Sequence, residues 1–141
     1  LHGFRITVRV PAGSSRVCVY ALNKGPGSTG RPGCKTIWLR TSPLGRIDSV
    51  TVRGSKAVVT GWTFDFSNPA QAIGVTVTRN GRQVISSRTS LLRADVNRAW
   101  SVTGLHGFSY TVSLVAGTNR LCAYGVNIGA GANALLGCRT V

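Results

Sequence analysis

The sequence of 141 residues is 43% hydrophobic, which suits one domain of ordinary size with enough chain to bury a core. Seventeen lysines and arginines face only three aspartates and no glutamate, giving a formal net charge of +14 at pH 7. A field of this sign favours polyanionic partners such as nucleic acid, wall polymers or acidic lipid surfaces. No run of about 18 apolar residues occurs, which excludes a membrane-spanning helix within this sequence.

The sequence repeats part of itself. Residues 1–37 and 105–141, aligned without a gap at an offset of 104, are identical at 17 of 37 positions. Self-similarity at a fixed offset indicates a repeat architecture. We therefore expect one complete unit, residues 42–141, preceded by the C-terminal half of another unit, residues 1–41.

The four cysteines occupy matching places in the two copies, and each copy holds two of them 16 residues apart. Four cysteines allow three pairings. The repeat favours Cys18–Cys34 and Cys122–Cys138, because each half-unit then closes on itself. A zinc site would need closely spaced cysteine or histidine ligands, which the sequence lacks, so no metal or other cofactor is predicted. Disulfides persist in oxidising compartments, which indicates an exported protein.

In chain order, the first copy has the pattern of three strands. Residues 4–10 alternate between apolar and polar, as in a half-buried strand, with Arg5 and Arg9 on a basic outer face. Residues 16–22 and 34–39 are the other two strands, and a loop rich in glycine, proline and serine joins them.

The middle block, up to residue 100, predicts four strands and an irregular connection. The strands cover residues 46–53, 57–66, 73–78 and 83–88. Asn80-Gly81 between the last two predicts a hairpin with a type I′ turn, which needs positive φ at both residues. Residues 91–100 have no period of two and indicate a loop with a helical turn.

The opening trio of strands recurs at residues 106–115, 119–127 and 136–141. No segment shows a helical period over ten or more residues. The chain from residue 44 onward therefore predicts an all-β fold, an antiparallel two-sheet sandwich of about seven strands, after a three-stranded half-repeat. On strand 57–66 one face holds Val58, Thr60, Trp62, Phe64 and Phe66, and we expect Trp62 to be buried in the core rather than to form a platform for sugars.

The order of short motifs in the complete unit resembles that of a known family. These are Gly45-Arg46-Ile47-Asp48-Ser49-Val50, Gly61-Trp62-Thr63-Phe64-Asp65, Asn80-Gly81, Arg93-Ala94-Asp95-Val96, His106-Gly107-Phe108, Cys122-Ala123-Tyr124-Gly125-Val126-Asn127 and Leu136-Gly137-Cys138. The order resembles a repeat module of about 100 residues in secreted actinobacterial proteins, often beside cell-wall hydrolase domains. The resemblance covers residues 44–141 and, as a half, residues 1–41. It implies an Ig-like, non-catalytic accessory module and carries over no binding residues.

No set of residues in the sequence has the pattern of a catalytic site. The three aspartates are far apart, so no carboxylate pair for acid–base chemistry is evident. We expect Asp65 to cap a turn and Asp95 to form a local ion pair. His2 and His106 take the same place in the two copies without a nucleophile nearby, which favours a structural role. We predict that the protein is not an enzyme.

The binding candidates are four arginines on strands and two tryptophans near the linkers: Arg5, Arg9, Arg79, Arg82, Trp38 and Trp100. With these residues, the module would attach a secreted protein to an anionic cell-wall polymer or glycan. The alternative is a structural tandem repeat that assembles by strand complementation, because residues 1–41 leave sheet edges open for self-association. Charge also fits nucleic acid, but no reader motif interleaves aromatic and basic residues, so no specific nucleic-acid binding is predicted.

Overall fold

The computed structural model describes residues 3–11 and 13–141. In this part of the chain it contains ten β-strands, paired antiparallel, and one short helix. The predicted all-β antiparallel fold is confirmed. The chain divides into two compact units, residues 1–40 and 41–141. None of the helices in the described residues is long and apolar enough to cross a membrane.

The first unit is a two-stranded sheet. Its strands are β1 (Gly13–Ala21) and β2 (Gly30–Leu39), and Cys18 lies opposite Cys34, to which it is disulfide-bonded. Residues 3–11 form no strand, so the strand predicted over residues 4–10 is wrong.

The second unit is a sandwich of two four-stranded sheets, β3-β4-β8-β7 and β10-β9-β5-β6. Its strands are β3 (Leu44–Arg53), β4 (Lys56–Phe64), β5 (Gly74–Arg79), β6 (Arg82–Arg88), β7 (Leu91–Leu92), β8 (Leu105–Ser113), β9 (Arg120–Gly125) and β10 (Ala134–Thr140). Helix α1 (Ala94–Trp100) lies between β7 and β8. The sandwich has one strand more than expected, the two-residue β7.

The core between the sheets is built from residues that alternate along their strands. On β4 these are Ala57 and Val59, which pack with Val77 of β5. Trp62 and Phe64 are buried too, but they belong to a second cluster with Val96 of α1. The expected burial of Trp62 in the core is therefore confirmed. β4 is buried on both faces, and such a strand gives no clear apolar alternation.

One turn and one disulfide fix two hairpins of the second unit. Asn80 and Gly81 have φ of 51° and 82°, so the expected positive φ at both turn residues is confirmed. Cys122 lies opposite Cys138 and is disulfide-bonded to it, as the repeat predicts.

The repeat is visible in the strand register. Arg16 lies opposite Thr36 in β1–β2, and Arg120 lies opposite Thr140 in β9–β10 at the same offset. The flanking strands differ between the copies. β8 is hydrogen-bonded to β4 and β7, whereas residues 3–11 have no such neighbours in the part of the chain that the structure describes. A strand needs partners for its backbone groups, which explains why the alternating pattern of residues 4–10 forms none.

Candidate functional site

Six cationic side chains lie at one end of the sandwich, which we call the basic end. Arg53 lies opposite Lys56 at the turn between β3 and β4, and Arg79 lies opposite Arg82 at the turn between β5 and β6. The other two are on the hairpin β9–β10. The basic end comprises Arg53, Lys56, Arg79, Arg82, Arg120 and Arg139.

Hydrogen bonds between the elements show that the two turns share this end. The Arg79 guanidinium donates to the backbone carbonyl of Ser113, which lies opposite Lys56. The backbone amide of Asn80 donates to the Arg120 carbonyl at 2.9 Å, and the Arg120 amide donates to Asn80 Oδ1 at 2.7 Å. The strand ends that carry these cations therefore lie at the same end of the sandwich in both sheets.

A shallow depression lies at the same end of the sandwich, and one ordered loop forms part of it. Asn119 is almost fully buried, and its amide group donates to the carbonyls of Val115 and Gly117 at 2.8 Å each. Its Oδ1 accepts from the Val115 amide at 2.9 Å. These three hydrogen bonds order the loop between β8 and β9. The depression is lined by Val52, Gly54, Ser55, Leu114, Val115, Ala116, Gly117, Asn119 and Val141.

Two like-charge pairs at the basic end oppose folding. Arg53 and Lys56 are direct cross-strand neighbours, as are Arg79 and Arg82. Like charges directly opposite each other in a sheet destabilise it. In the residues that the structure describes, none of the ion pairs involves a side chain of the basic end. The arrangement therefore favours an external anion over a contribution to stability.

Two of the three carboxylates are bound by arginines outside the basic end. Asp48 accepts from Arg46 Nε at 2.9 Å and from Arg93 Nη1 at 2.5 Å. Arg93 also donates from Nε and Nη2 to both oxygens of Asp95, at 2.8 and 2.7 Å. These hydrogen bonds raise the pKa of Arg93 and hold the pKa of Asp95 well below its usual range. The ion pair expected for Asp95 is present.

Asp65 orders two loops. It is fully buried, and its carboxylate accepts from the amide of Ser67 at 2.7 Å and from the amide of Ile128 at 3.1 Å. The first contact is the turn cap expected for this residue. All three acidic side chains thus have local partners, so they leave the charge of the basic end uncompensated.

Within the second unit, the structure brings two of the predicted binding residues together. Arg79 and Arg82 lie at the basic end, whereas Arg5 and Arg9 belong to the strandless segment 3–11 of the first unit. Trp38, on β2 of the first unit, is 74% exposed. Trp100, in the second unit, packs its ring 5.9 Å from that of Phe64 and 6.2 Å from that of Phe66. Trp100 is the last residue of α1 and is 42% exposed.

Sequence analysis missed four residues of the basic end. A signal was present, because both hairpin turns read cation, two turn residues, cation: Arg53-Gly54-Ser55-Lys56 and Arg79-Asn80-Gly81-Arg82. A second signal lies in the repeat, where Arg16 and Lys35 take the places of Arg120 and Arg139. Only the strand register shows that the residues of the basic end lie at the same end of the sandwich.

His106 is buried and has a structural setting. Its Nε2 lies 3.1 Å from the carbonyl of Thr103, and its ring packs 5.5 Å from that of Phe64. Burial lowers the pKa of its imidazole, and the hydrogen bond to Thr103 only partly opposes this effect. The matching residue of the first copy, His2, lies outside the described residues.

The buried imidazole predicts a loss of stability in weak acid. The pKa of His106 in the folded protein lies below its ordinary value of 6.5, so the unfolded chain binds the proton first as the pH falls. The free energy of unfolding should decrease between about pH 7.5 and about pH 5.5, as measured by the urea midpoint. His106→Gln keeps a donor for Thr103 and should flatten this dependence. A decrease of the same size in the variant would contradict the assignment.

Comparisons with known proteins give no family for this chain. No protein-family model matches the sequence, and no curated protein is significantly similar to it.

Proposed function

We propose that the protein is a non-catalytic extracellular module whose basic end binds an anionic polymer, of the class of phosphodiester wall polymers or acidic glycans. One observation carries the proposal. Six cations from both sheets converge on one end of the sandwich, and the three carboxylates are used elsewhere. This module would attach the protein of which it is part to a cell wall.

The layout of the basic end suits a flexible, repeating anion. Its cations lie beside two turns and at the ends of β9 and β10, and none of them lines the depression, so they offer charge without a fixed pocket for one small molecule. Binding of this type gains free energy mainly from release of counterions and falls steeply with salt. Buried polar side chains order three loops of the scaffold, one through Asn119 and two through Asp65.

The extracellular setting is supported by the two disulfides, since such bonds persist in oxidising compartments. The resemblance to a repeat of exported wall-associated proteins points the same way. It also agrees with a non-catalytic role, as does the use of every carboxylate in a local contact.

The test is binding to poly(glycerol phosphate), a flexible phosphodiester polymer, and to purified cell walls. The triple variant Arg53→Gln, Arg82→Gln, Arg120→Gln removes three exposed cations and leaves Arg79 in its contact with Ser113. If each cation contacts one phosphate, affinity at about 0.1 M salt should fall about a hundredfold. The slope of log K against log salt should decrease by about 2.

The matched control is Arg5→Gln, Arg9→Gln, Arg31→Gln, which removes the same charge from the first unit. It should lower affinity only slightly, through the weaker general field. Equal losses in the two triple variants would show that net charge, and not the basic end, governs binding. A wild-type protein that is not retained on either material at low salt would reject the function.

A further inference from the structure

The first unit exposes apolar side chains that its second copy buries. Phe4 is 71% exposed, whereas Phe108, its counterpart at the offset of 104, is 1% exposed. Val8 is 50% exposed, and its counterpart Val112 is 2% exposed. The same sequence positions therefore form core in one copy and surface in the other.

The exposed residues lie on the face that is interior in the complete sandwich. Phe4 and Val8 line an open apolar groove with Val17 and Val19 of β1 and with Ile37 of β2. In the second unit, the counterparts Phe108, Val112, Leu121 and Ala123 pack in one core cluster. The groove is thus the unfilled interior of a half-sandwich.

The second unit shows which strands fill this interior. β4 pairs with β8 so that Gly61 lies opposite Phe108, and β5 pairs with β9 so that Val77 lies opposite Ala123. By the offset of 104, a β4-like strand would place its glycine opposite Phe4. A β5-like strand would place its valine opposite Val19.

A second copy of this chain cannot supply these strands with a net gain in buried apolar surface. Each chain holds two hairpins of this kind, β1–β2 and β9–β10, but only one block of strands β3 to β6. A chain that donated its block would uncover its own β9, whose Leu121 and Ala123 are fully buried. The exchange leaves as much apolar surface exposed as it covers.

We propose that the first unit is an acceptor for a strand block of the same repeat. The occupant is a polypeptide segment with the sequence chemistry of residues 44–88 that has no β9–β10 hairpin of its own. It adds a β4-like strand to residues 3–9 and a β5-like strand to the free edge of β1, an instance of strand addition. The inference is independent of the basic end and needs no anionic ligand.

The test supplies one additional block. Residues 42–104 are fused ahead of residue 1. In the 141-residue chain the same block precedes residue 105, which is the counterpart of residue 1. Amide hydrogen exchange of residues 4–9 and 16–22 is compared between the fusion and the 141-residue chain. We expect exchange in both segments to slow by about a hundredfold or more in a monomeric fusion, because these amides become part of a cooperative unit.

The control fusion carries Gly61→Val in the added block only. A Cβ at Gly61 would lie 2.6 Å from the Phe108 ring and 2.3 Å from the Arg46 carbonyl, so the altered block cannot seat on Phe4. It should leave exchange fast. Equal exchange in both fusions would overturn the proposal. So would protection of residues 4–22 in a dimer of the 141-residue chain, because a second copy would then cover the face.

Discussion

The double variant Cys18→Ala, Cys34→Ala should unfold the first unit and leave the second unit folded. The first unit contains a single two-stranded sheet, and an isolated two-stranded hairpin is marginally stable at best in water. The disulfide closes a loop with a sequence separation of 16. A bond across a loop of this length stabilises by about 3 kcal/mol in the chain-entropy model, which is more than a lone hairpin can lose.

The chain provides a matched comparison in Cys122→Ala, Cys138→Ala. The sequence separation is again 16, so the entropic loss should again be about 3 kcal/mol. Here, however, β9 lies between β10 and β5 in a four-stranded sheet over a buried core. The second unit should therefore remain folded with a lower melting temperature.

Amide exchange resolved by peptide distinguishes the two results. Residues 13–39 should exchange freely in the first double variant, while β4 and β9 keep their protection. Persistent protection of β1 and β2 without the disulfide would show that other contacts hold the first unit.

Local chemistry made the hairpins predictable from the sequence. Asn80-Gly81 fixes its turn through the φ values that these two residues tolerate, and the repeat fixes the cysteine pairs. Both signals lie within a few residues of the contact or are duplicated in the chain. The sandwich class followed from these hairpins and from the absence of a helical period.

The errors arose where a contact is distant in sequence. Residues 4–10 alternate like their counterpart in β8, but β8 forms a strand because β4 lies beside it. The alternating pattern therefore predicts which face of a strand would be buried. It does not predict whether a partner strand lies beside it. On β4, Trp62 is buried as expected, but its packing in a separate apolar cluster with Val96 of α1 is again a contact distant in sequence.

The basic end could be predicted only in part for the same reason. Its residues extend from Arg53 to Arg139 in the sequence. They share one end of the sandwich because strands of both sheets begin or end there. Arg79 and Arg82 flank the Asn80-Gly81 turn, which has the strongest hairpin signal in the sequence, and they were predicted. Arg53 and Lys56 flank the other turn, but that the two turns and the ends of β9 and β10 lie at one end of the sandwich follows only from the strand register.

Charge reversal at the two turns should separate stability from binding. In the double variant Lys56→Glu, Arg82→Glu, each new carboxylate lies opposite an arginine, Arg53 or Arg79. Opposite charges at such positions stabilise a sheet by about 0.2–1 kcal/mol per pair, where like charges destabilise it. We expect a higher urea midpoint and a loss of affinity for poly(glycerol phosphate) of about a hundredfold at about 0.1 M salt.

The comparison variant is Arg5→Glu, Arg9→Glu, which changes the net charge equally within the segment that forms no strand. It should leave the urea midpoint unchanged and weaken binding much less. If these cations served folding, charge reversal would lower the stability of the protein. If they serve to bind an anion, reversal lowers the affinity for the polymer and raises the stability. If the turn variant were less stable than the wild type, the like-charge pairs would have a structural role. They would then give no support to anion binding.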